Sequence, residues 1–279
     1  MKKIGLIDYY LDQYHAHHYP QWIREQSGGE MEVAYAWAKT DKPDGMTNEA
    51  YCREQGIQLL GSMEEVIERS DCLVVMSPDN PEQHEELCRL PLSSGKPTYV
   101  DKTFAPDRET ALRIAAVAQE HGTPFFSTSA LRYAREYADI RREGIESIHS
   151  RGPGRFSNYA IHQMEPIVSL MGADVEKIQY TGTANTPAFV LRYADGRTAS
   201  FVQLGWECDF SLAINYADWH AEVIQGANDF YLRFLKEMVG FFGDGVPRVP
   251  VEETIEVITL LEYGRKAMDQ PDSWVTLPR

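Results

Sequence analysis

Short apolar runs, separated by longer polar and helically periodic stretches, organise the first half of the chain. Ile4-Gly5-Leu6-Ile7 opens it, and Val33 to Ala38 follows the Gly28-Gly29 break. Cys72-Leu73-Val74-Val75-Met76 is continuous and apolar, as a strand covered on both faces must be. Thr98-Tyr99-Val100 and Thr123-Pro124-Phe125-Phe126 add two more strands. The intervening stretches carry helix signals. Ser62 followed by Glu65 is a capping box for a helix to about Arg69. Asp79-Asn80-Pro81 offers a capping side chain and a proline for a first helical turn, and that helix runs towards Leu90. Asp107 caps a helix with Ala111, Leu112, Ile114, Ala115 and Ala118 on its apolar face, ended by Gly122. Strands alternating with helices at this spacing predict a parallel, doubly wound sheet. Its ligands are expected at the carboxyl ends of the strands, at residues 8–12, 38–41, 77–80, 101–104 and 127–133.

Beyond about Arg151 the pattern changes. Lys177 to Tyr180, Phe189 to Tyr193 and Ser200 to Leu204 read as strands, parted by turn signals such as Ala194-Asp195-Gly196. Helices are predicted at His162 to Met171, Phe230 to Phe242 and Val251 to Met268. The fold class that results is α/β, an N-terminal doubly wound parallel sheet followed by an α+β domain with a largely antiparallel sheet. The expected division is 1–130 and 131–279.

With 279 residues, 43% of them apolar, the chain is long enough for two cores, and disordered or fibrous classes are excluded. The formal charge of −15 repels phosphate backbones and anionic lipid, so neither nucleic acid nor a membrane surface is an expected partner. No signal-peptide pattern is present, no 18 residues pass without a charge, and the four cysteines form no CxxC pair; a cytoplasmic protein with reduced core thiols is expected.

Ser77-Pro78, His84, and Gly95-Lys96-Pro97 leading into Asp101-Lys102-Thr103-Phe104 resemble the glucose–fructose oxidoreductase and inositol dehydrogenase family (Gfo/Idh/MocA), whose members carry Glu-Lys-Pro where this chain has Asp101-Lys102-Thr103. His162-Gln163-Met164-Glu165 before Met171-Gly172 is similar to the family's second-domain helix, and Val275-Thr276-Leu277-Pro278 to its usual ending. The resemblance implies a Rossmann-like nucleotide-binding domain for NAD or NADP. It also implies a second domain for binding a carbohydrate-like substrate and for oligomerisation, as a homodimer or homotetramer. Hydride would pass between a sugar, polyol or sugar-derived acid and the nicotinamide. Lys102 and His162 would be catalytic, Lys102 at the reacting oxygen and His162 as proton carrier. Asp8, Tyr9, Leu11, Trp37, Ser77, Pro78, Asn80, His84, Asp101 and Lys102 would line the cofactor. Arg132, Tyr133, Asn158 and His162 would bind substrate, with Arg132 equally readable as a surface arginine.

Three features depart from that family. No glycine lies between Gly5 and Gly28, where a phosphate-binding turn needs several; the chain reads Asp8-Tyr9-Tyr10-Leu11-Asp12-Gln13 there. No acidic residue for a ribose follows Trp37-Ala38-Lys39, and Asn158 replaces the usual Asp. Asp12, His15 and His18 share one face if the segment is helical, which is a zinc-, iron- or manganese-type ligand set. His17 joins His15 instead if the segment is extended. Two alternatives to the oxidoreductase therefore stand. One is a metal-dependent non-redox enzyme using Asp12, His15 and His18. The other is a non-catalytic ligand-binding protein. Trp206, Trp219 and His220 read either as sugar-stacking or as core and interface residues.

Overall fold

The structure, a computed structural model, describes residues 1–77 and 79–279. It forms two compact units, Met1–Thr128 with Phe234–Val251, and Ser129–Arg233 with Glu252–Arg279.

The first unit is built on six parallel strands, β1 (Lys2–Asp8), β2 (Met31–Ala38), β3 (Gln58–Leu59), β4 (Cys72–Val75), β5 (Thr98–Val100) and β6 (Phe125–Ser127). Their order, β3-β2-β1-β4-β5-β6, is the doubly wound one expected from the alternation of strands and helices. Helices α1 (Tyr14–Gln26), α2 (Asn48–Gln55), α3 (Met63–Arg69), α4 (His84–Leu92) and α5 (Arg108–His121) connect them. β1 and β4 are central, which is why Ile4, Leu6, Ile7 and Leu73 to Val75 are fully buried. Gly5 is required by close approach, since a Cβ there would lie 2.4 Å from Val66 Cγ1 of α3. Ser62 accepts Glu65 N–H as predicted, while the Glu65 carboxylate takes Gly61 N–H at 3.0 Å. Asp107 accepts Thr110 N–H at 2.8 Å. The expected Asp79–Asn80 cap is corrected: a 3-10 turn, Pro81–Gln83, precedes α4, and Asn80 makes no side-chain capping bond. The segment Phe234–Val251 completes this core, with Phe234 against Tyr99 and Phe241 edge-on to Phe126.

The second unit holds β7 (Ile145–Pro153), α6 (Phe156–Tyr159), α7 (Ile161–Met171), β8 (Val175–Tyr180), β9 (Ala188–Tyr193), β10 (Thr198–Leu204), β11 (Ser211–Tyr216) and β12 (Ala221–Gln225). α8 (Phe230–Asp244), which belongs to the first unit from Phe234 on, is followed in the chain by α9 (Val251–Met268) and β13 (Trp274–Thr276). The sheet order is β12-β11-β7-β10-β9-β8-β13, with β7 and β10 parallel and the other pairs antiparallel. α7 is pinned to this sheet by Gln163, which accepts Ser150 Oγ–H at 2.7 Å and donates to the Val202 carbonyl at 3.1 Å.

Candidate functional site

β1 ends at Asp8, which is fully buried, and residues 9–13 lead into α1. With no glycine to relax this connection, side chains close it. Tyr9 N–H donates to Asp8 Oδ1 at 2.7 Å, and the Gln13 amide donates to Asp8 Oδ2 at 3.0 Å. Leu11 N–H donates to Asn48 Oδ1 at 2.9 Å, and Gln13 N–H to the Leu11 carbonyl at 2.8 Å. Gln13 is also the N-cap of α1, accepting His15 N–H at 2.7 Å. Burial pushes the Asp8 carboxyl up to about 8, against the pull of Gln13 and Tyr9 and helped by the charge of Asp101.

Asp101 lies just past β5 and is also buried. Its Oδ2 is 2.7 Å from His15 Nδ1, and its Oδ1 accepts the Tyr99 hydroxyl at 3.0 Å. Burial alone would raise this carboxyl; the charge and hydrogen bond of His15, the charge of Lys102 and the Tyr99 hydroxyl outweigh it and hold the group down at about 2. The His15 ring stacks on Tyr19 at 5.1 Å and 7°. Lys102 follows, its Nζ 3.9 Å from Asp79 Oδ1, a loose and partly exposed pair. His84 is fully buried, and Nδ1–H donates to the carbonyls of Thr103 (2.9 Å) and Phe104 (3.1 Å). Burial lowers its pKa, and its two hydrogen bonds fix the segment that displays Lys102.

In the second unit His162, near the start of α7, is held by Ser129, whose Oγ lies 2.6 Å from His162 Nδ1 and also accepts Leu131 N–H. Ser129 N–H donates to Glu165 at 3.2 Å. The His162 ring meets Tyr159 edge-on at 5.1 Å and Phe210 at 6.1 Å. Both of those rings line a concavity of about 780 Å³, together with Arg151, Trp206, Gln225 and Asn228. Trp206 is 58% exposed and stands perpendicular to Tyr159 at 4.9 Å. The wall thus mixes aromatic faces with guanidinium, amide and carboxylate groups, the last from Glu207 and Asp209.

Several expected site residues take other roles. Arg132, expected to bind substrate or to lie on the surface, is a buried ion-pair partner: its Nε donates to Glu165 at 2.7 Å and its Nη1 to Glu253 at 2.5 Å, at 8% exposure. Burial would lower its pKa, but the two carboxylates raise it above the ordinary arginine value. Leu11 is core, and Ser77 is buried with its hydroxyl on the Asn80 carbonyl at 2.8 Å. Trp37 and Asn80 are half-buried, as is Tyr133, whose carbonyl accepts Arg233 Nε–H at 3.1 Å. Asn158 is exposed on α6, Trp219 and His220 are exposed between β11 and β12, and Pro78 lies outside the described residues.

The Asp12, His15 and His18 metal set is not assembled. Asp12 bonds His17 Nε2 at 2.8 Å, His15 bonds Asp101, and His18 Nδ1 bonds the Tyr14 carbonyl at 2.7 Å. α1 begins only at Tyr14, so Asp12 never shares a helical face with the two histidines. Among the described residues no group of three or more His, Cys, Asp or Glu could hold a metal ion. Nor is any helix among them long and apolar enough to cross a membrane. Of the four thiols, Cys52, Cys72 and Cys88 are buried, whereas Cys208 is half-buried in the wall of the concavity.

No protein-family profile matches the chain, and no curated protein sequence matches it. Solved structures do match over the full length. A probable dehydrogenase from Thermotoga maritima is 17% identical, with 98% of each chain covered and a TM-score of 0.79. The apo scyllo-inositol dehydrogenase from Lactobacillus casei is 13% identical, covering 99% of this chain and 98% of that one, at a TM-score of 0.76. GenD2 from gentamicin A biosynthesis, in complex with NAD, is 13% identical over 100% and 97% of the two chains, at 0.75. At these identities the likeness establishes the fold: an α/β chain with a Rossmann-like sheet and a second, mostly antiparallel one.

A dinucleotide held in the manner of glycine-rich turns does not fit the β1–α1 connection. The N–H groups of Tyr9, Leu11 and His15, which a pyrophosphate would need, already donate to Asp8, Asn48 and Gln13 side-chain oxygens. The sequence foresaw the lost glycines and missed what replaces them. It also missed Ser129, Tyr159, Phe210 and Glu165, whose roles depend on contacts that no local pattern encodes.

Proposed function

We propose that the chain is a divergent member of the glucose–fructose oxidoreductase and inositol dehydrogenase family, an oxidoreductase acting on a sugar, polyol or sugar-derived acid. What supports this most is one combination: full-length likeness to dehydrogenases, Lys102 at the exit of β5, and His162 beside an aromatic, amide-lined concavity. The resemblance assigns Lys102 to the reacting oxygen and His162, oriented by Ser129, to the proton transfer. Trp206 and Tyr159 offer flat faces to the apolar side of a sugar or cyclitol ring, while Arg151, Gln225 and Asn228 reach its hydroxyls. NAD or NADP is the redox partner that the resemblance implies, and it has to be held by contacts other than the N–H groups of residues 9–15. The working form in this reading is a cytoplasmic homodimer or homotetramer.

Calorimetric titration of the full chain with NAD, NADH, NADP and NADPH tests the reading, followed by an absorbance screen of sugars and polyols. Saturable binding of at least one dinucleotide is expected. Turnover should then fall about a hundredfold or more in Lys102→Ala with an unchanged circular dichroism spectrum. Silence of all four at millimolar concentration would overturn it. One observation, the self-filled β1–α1 turn, favours a second reading, a protein that binds a carbohydrate-like ligand without a dinucleotide. That reading predicts polyol binding with no turnover.

A further inference from the structure

We propose that the Asp8 carboxyl is the resident acceptor of the β1–α1 turn: it takes the place that a nucleotide pyrophosphate has in glycine-rich turns of this sheet order, and so closes this strand end to phosphates. In a sheet of this order the first helix points its free N–H groups and positive dipole end at the anion. Here two N–H groups of the turn, one of the helix's first turn and a side-chain amide are engaged within the protein instead. Tyr9 N–H reaches Asp8 Oδ1 at 2.7 Å, and the Gln13 amide reaches Oδ2 at 3.0 Å while its oxygen caps His15 N–H. Asn48 removes Leu11 N–H in the same way. Asp8 is 0% exposed, so protein atoms fill the space over the strand end. The closure then continues sideways. His15, placed by the Gln13 cap, bonds Asp101, and Asp101 bonds Tyr99, so one hydrogen-bonded chain spans the exits of β1 and β5.

The oxidoreductase reading enters only through the choice of nucleotide probes. The test is calorimetry of the full chain with ADP, inorganic pyrophosphate and NADH, using wild type, Asp8→Gly and Asp8→Asn. Wild type should give no saturable signal with ADP or pyrophosphate up to millimolar concentration. Asp8→Gly releases Tyr9 N–H and the Gln13 amide, and should bind ADP at least about tenfold more tightly than wild type. Asp8→Asn fills the same space and keeps one acceptor for Tyr9 N–H, though its NH2 cannot accept from the Gln13 amide, so its ADP binding should stay within a few-fold of wild type; Asp8→Ala replaces the glycine variant if that one melts early. Micromolar ADP binding by wild type, unchanged in Asp8→Gly, would overturn the proposal. So would a folded Asp8→Gly and a folded Asp8→Ala that bind ADP no better than wild type. NADH separates the two readings. NADH bound by wild type and not displaced by ADP upholds both. NADH displaced by ADP sinks this proposal and leaves the oxidoreductase. A silent NADH titration sinks the oxidoreductase, and the Asp8→Gly comparison still decides the proposal.

Discussion

Asp8 and Asp101 sit at the exits of β1 and β5 in one sheet, and both are buried. Yet one carboxyl is pushed up to about 8 and the other is held down at about 2. Burial works against the charged form in both places, and both accept two well-made hydrogen bonds. The difference lies in the donors. Asp8 is given an amide and a backbone N–H, which are neutral, and it feels Asp101 as a like charge. Asp101 is given the imidazole of His15 and the field of Lys102. Neutral donors do not offset the desolvation of a carboxylate, whereas nearby positive charge does. The β1 exit is thereby a closed, near-neutral plug, and the β5 exit a polarised one carrying the partly exposed ammonium of Lys102.

Arg132 carries the same rule into the second unit, where a buried cation is held by Glu165 and Glu253. Arg132→Met should cost about 3–5 kcal/mol in urea unfolding at pH 7, because it leaves two acids without their partner; a loss below about 1 kcal/mol would break the rule. The next largest effect concerns Asp8. A carboxyl raised in the folded state stabilises the fold fully below its ordinary value of 3.8, and that contribution is lost as pH rises towards about 8. Thermal melts of wild type should therefore fall between pH 4 and 8 by more than those of Asp8→Asn, the gap reaching at least about 1 kcal/mol. Asp101 has the opposite sign. Its contribution is whole above 3.8 and lost as pH falls towards 2, so Asp101→Asn should flatten the acid limb of the same curve. The smallest stability effect is expected for Lys102→Ala. Its 3.9 Å pair with a largely exposed Asp79 predicts a change within about 0.5 kcal/mol, so a large loss there would show the ammonium to be structural.

Much of the fold was legible because burial writes itself into short patterns. Cys72 to Val75 had to be a covered strand, Ser62 and Asp107 had to begin helices, and Val251 to Met268 is a helix over the predicted span. β7, β11, β12 and β13 were not foreseen. β7 carries Glu146, His149 and Arg151 on its exposed side, and β12 has no buried residue, so neither shows an apolar run. α2 was missed although Thr47 and Gly56 cap it, because its apolar residues, Ala50, Tyr51 and Cys52, are consecutive and show no helical period. The site was legible one residue at a time. Lys102 and His162 could be singled out from sequence, but Asp8 read only as one of the residues lining a cofactor. Its burial, and the turn of Gln13 that satisfies it, are products of packing. Arg132 shows the same gap, since nothing local announces that Glu165 and Glu253 converge on it.

The most direct test of this account follows the carboxyl carbons of the aspartates by carbon-detected NMR across pH, with Asp8→Asn and Asp101→Asn to assign them. One resonance is expected to titrate near 8 and to vanish in Asp8→Asn, and another to titrate near 2 and to vanish in Asp101→Asn. An Asp8 carboxyl that titrates at the ordinary value near 3.8 would contradict it, because an anion open to water at that strand end cannot be the buried plug described above.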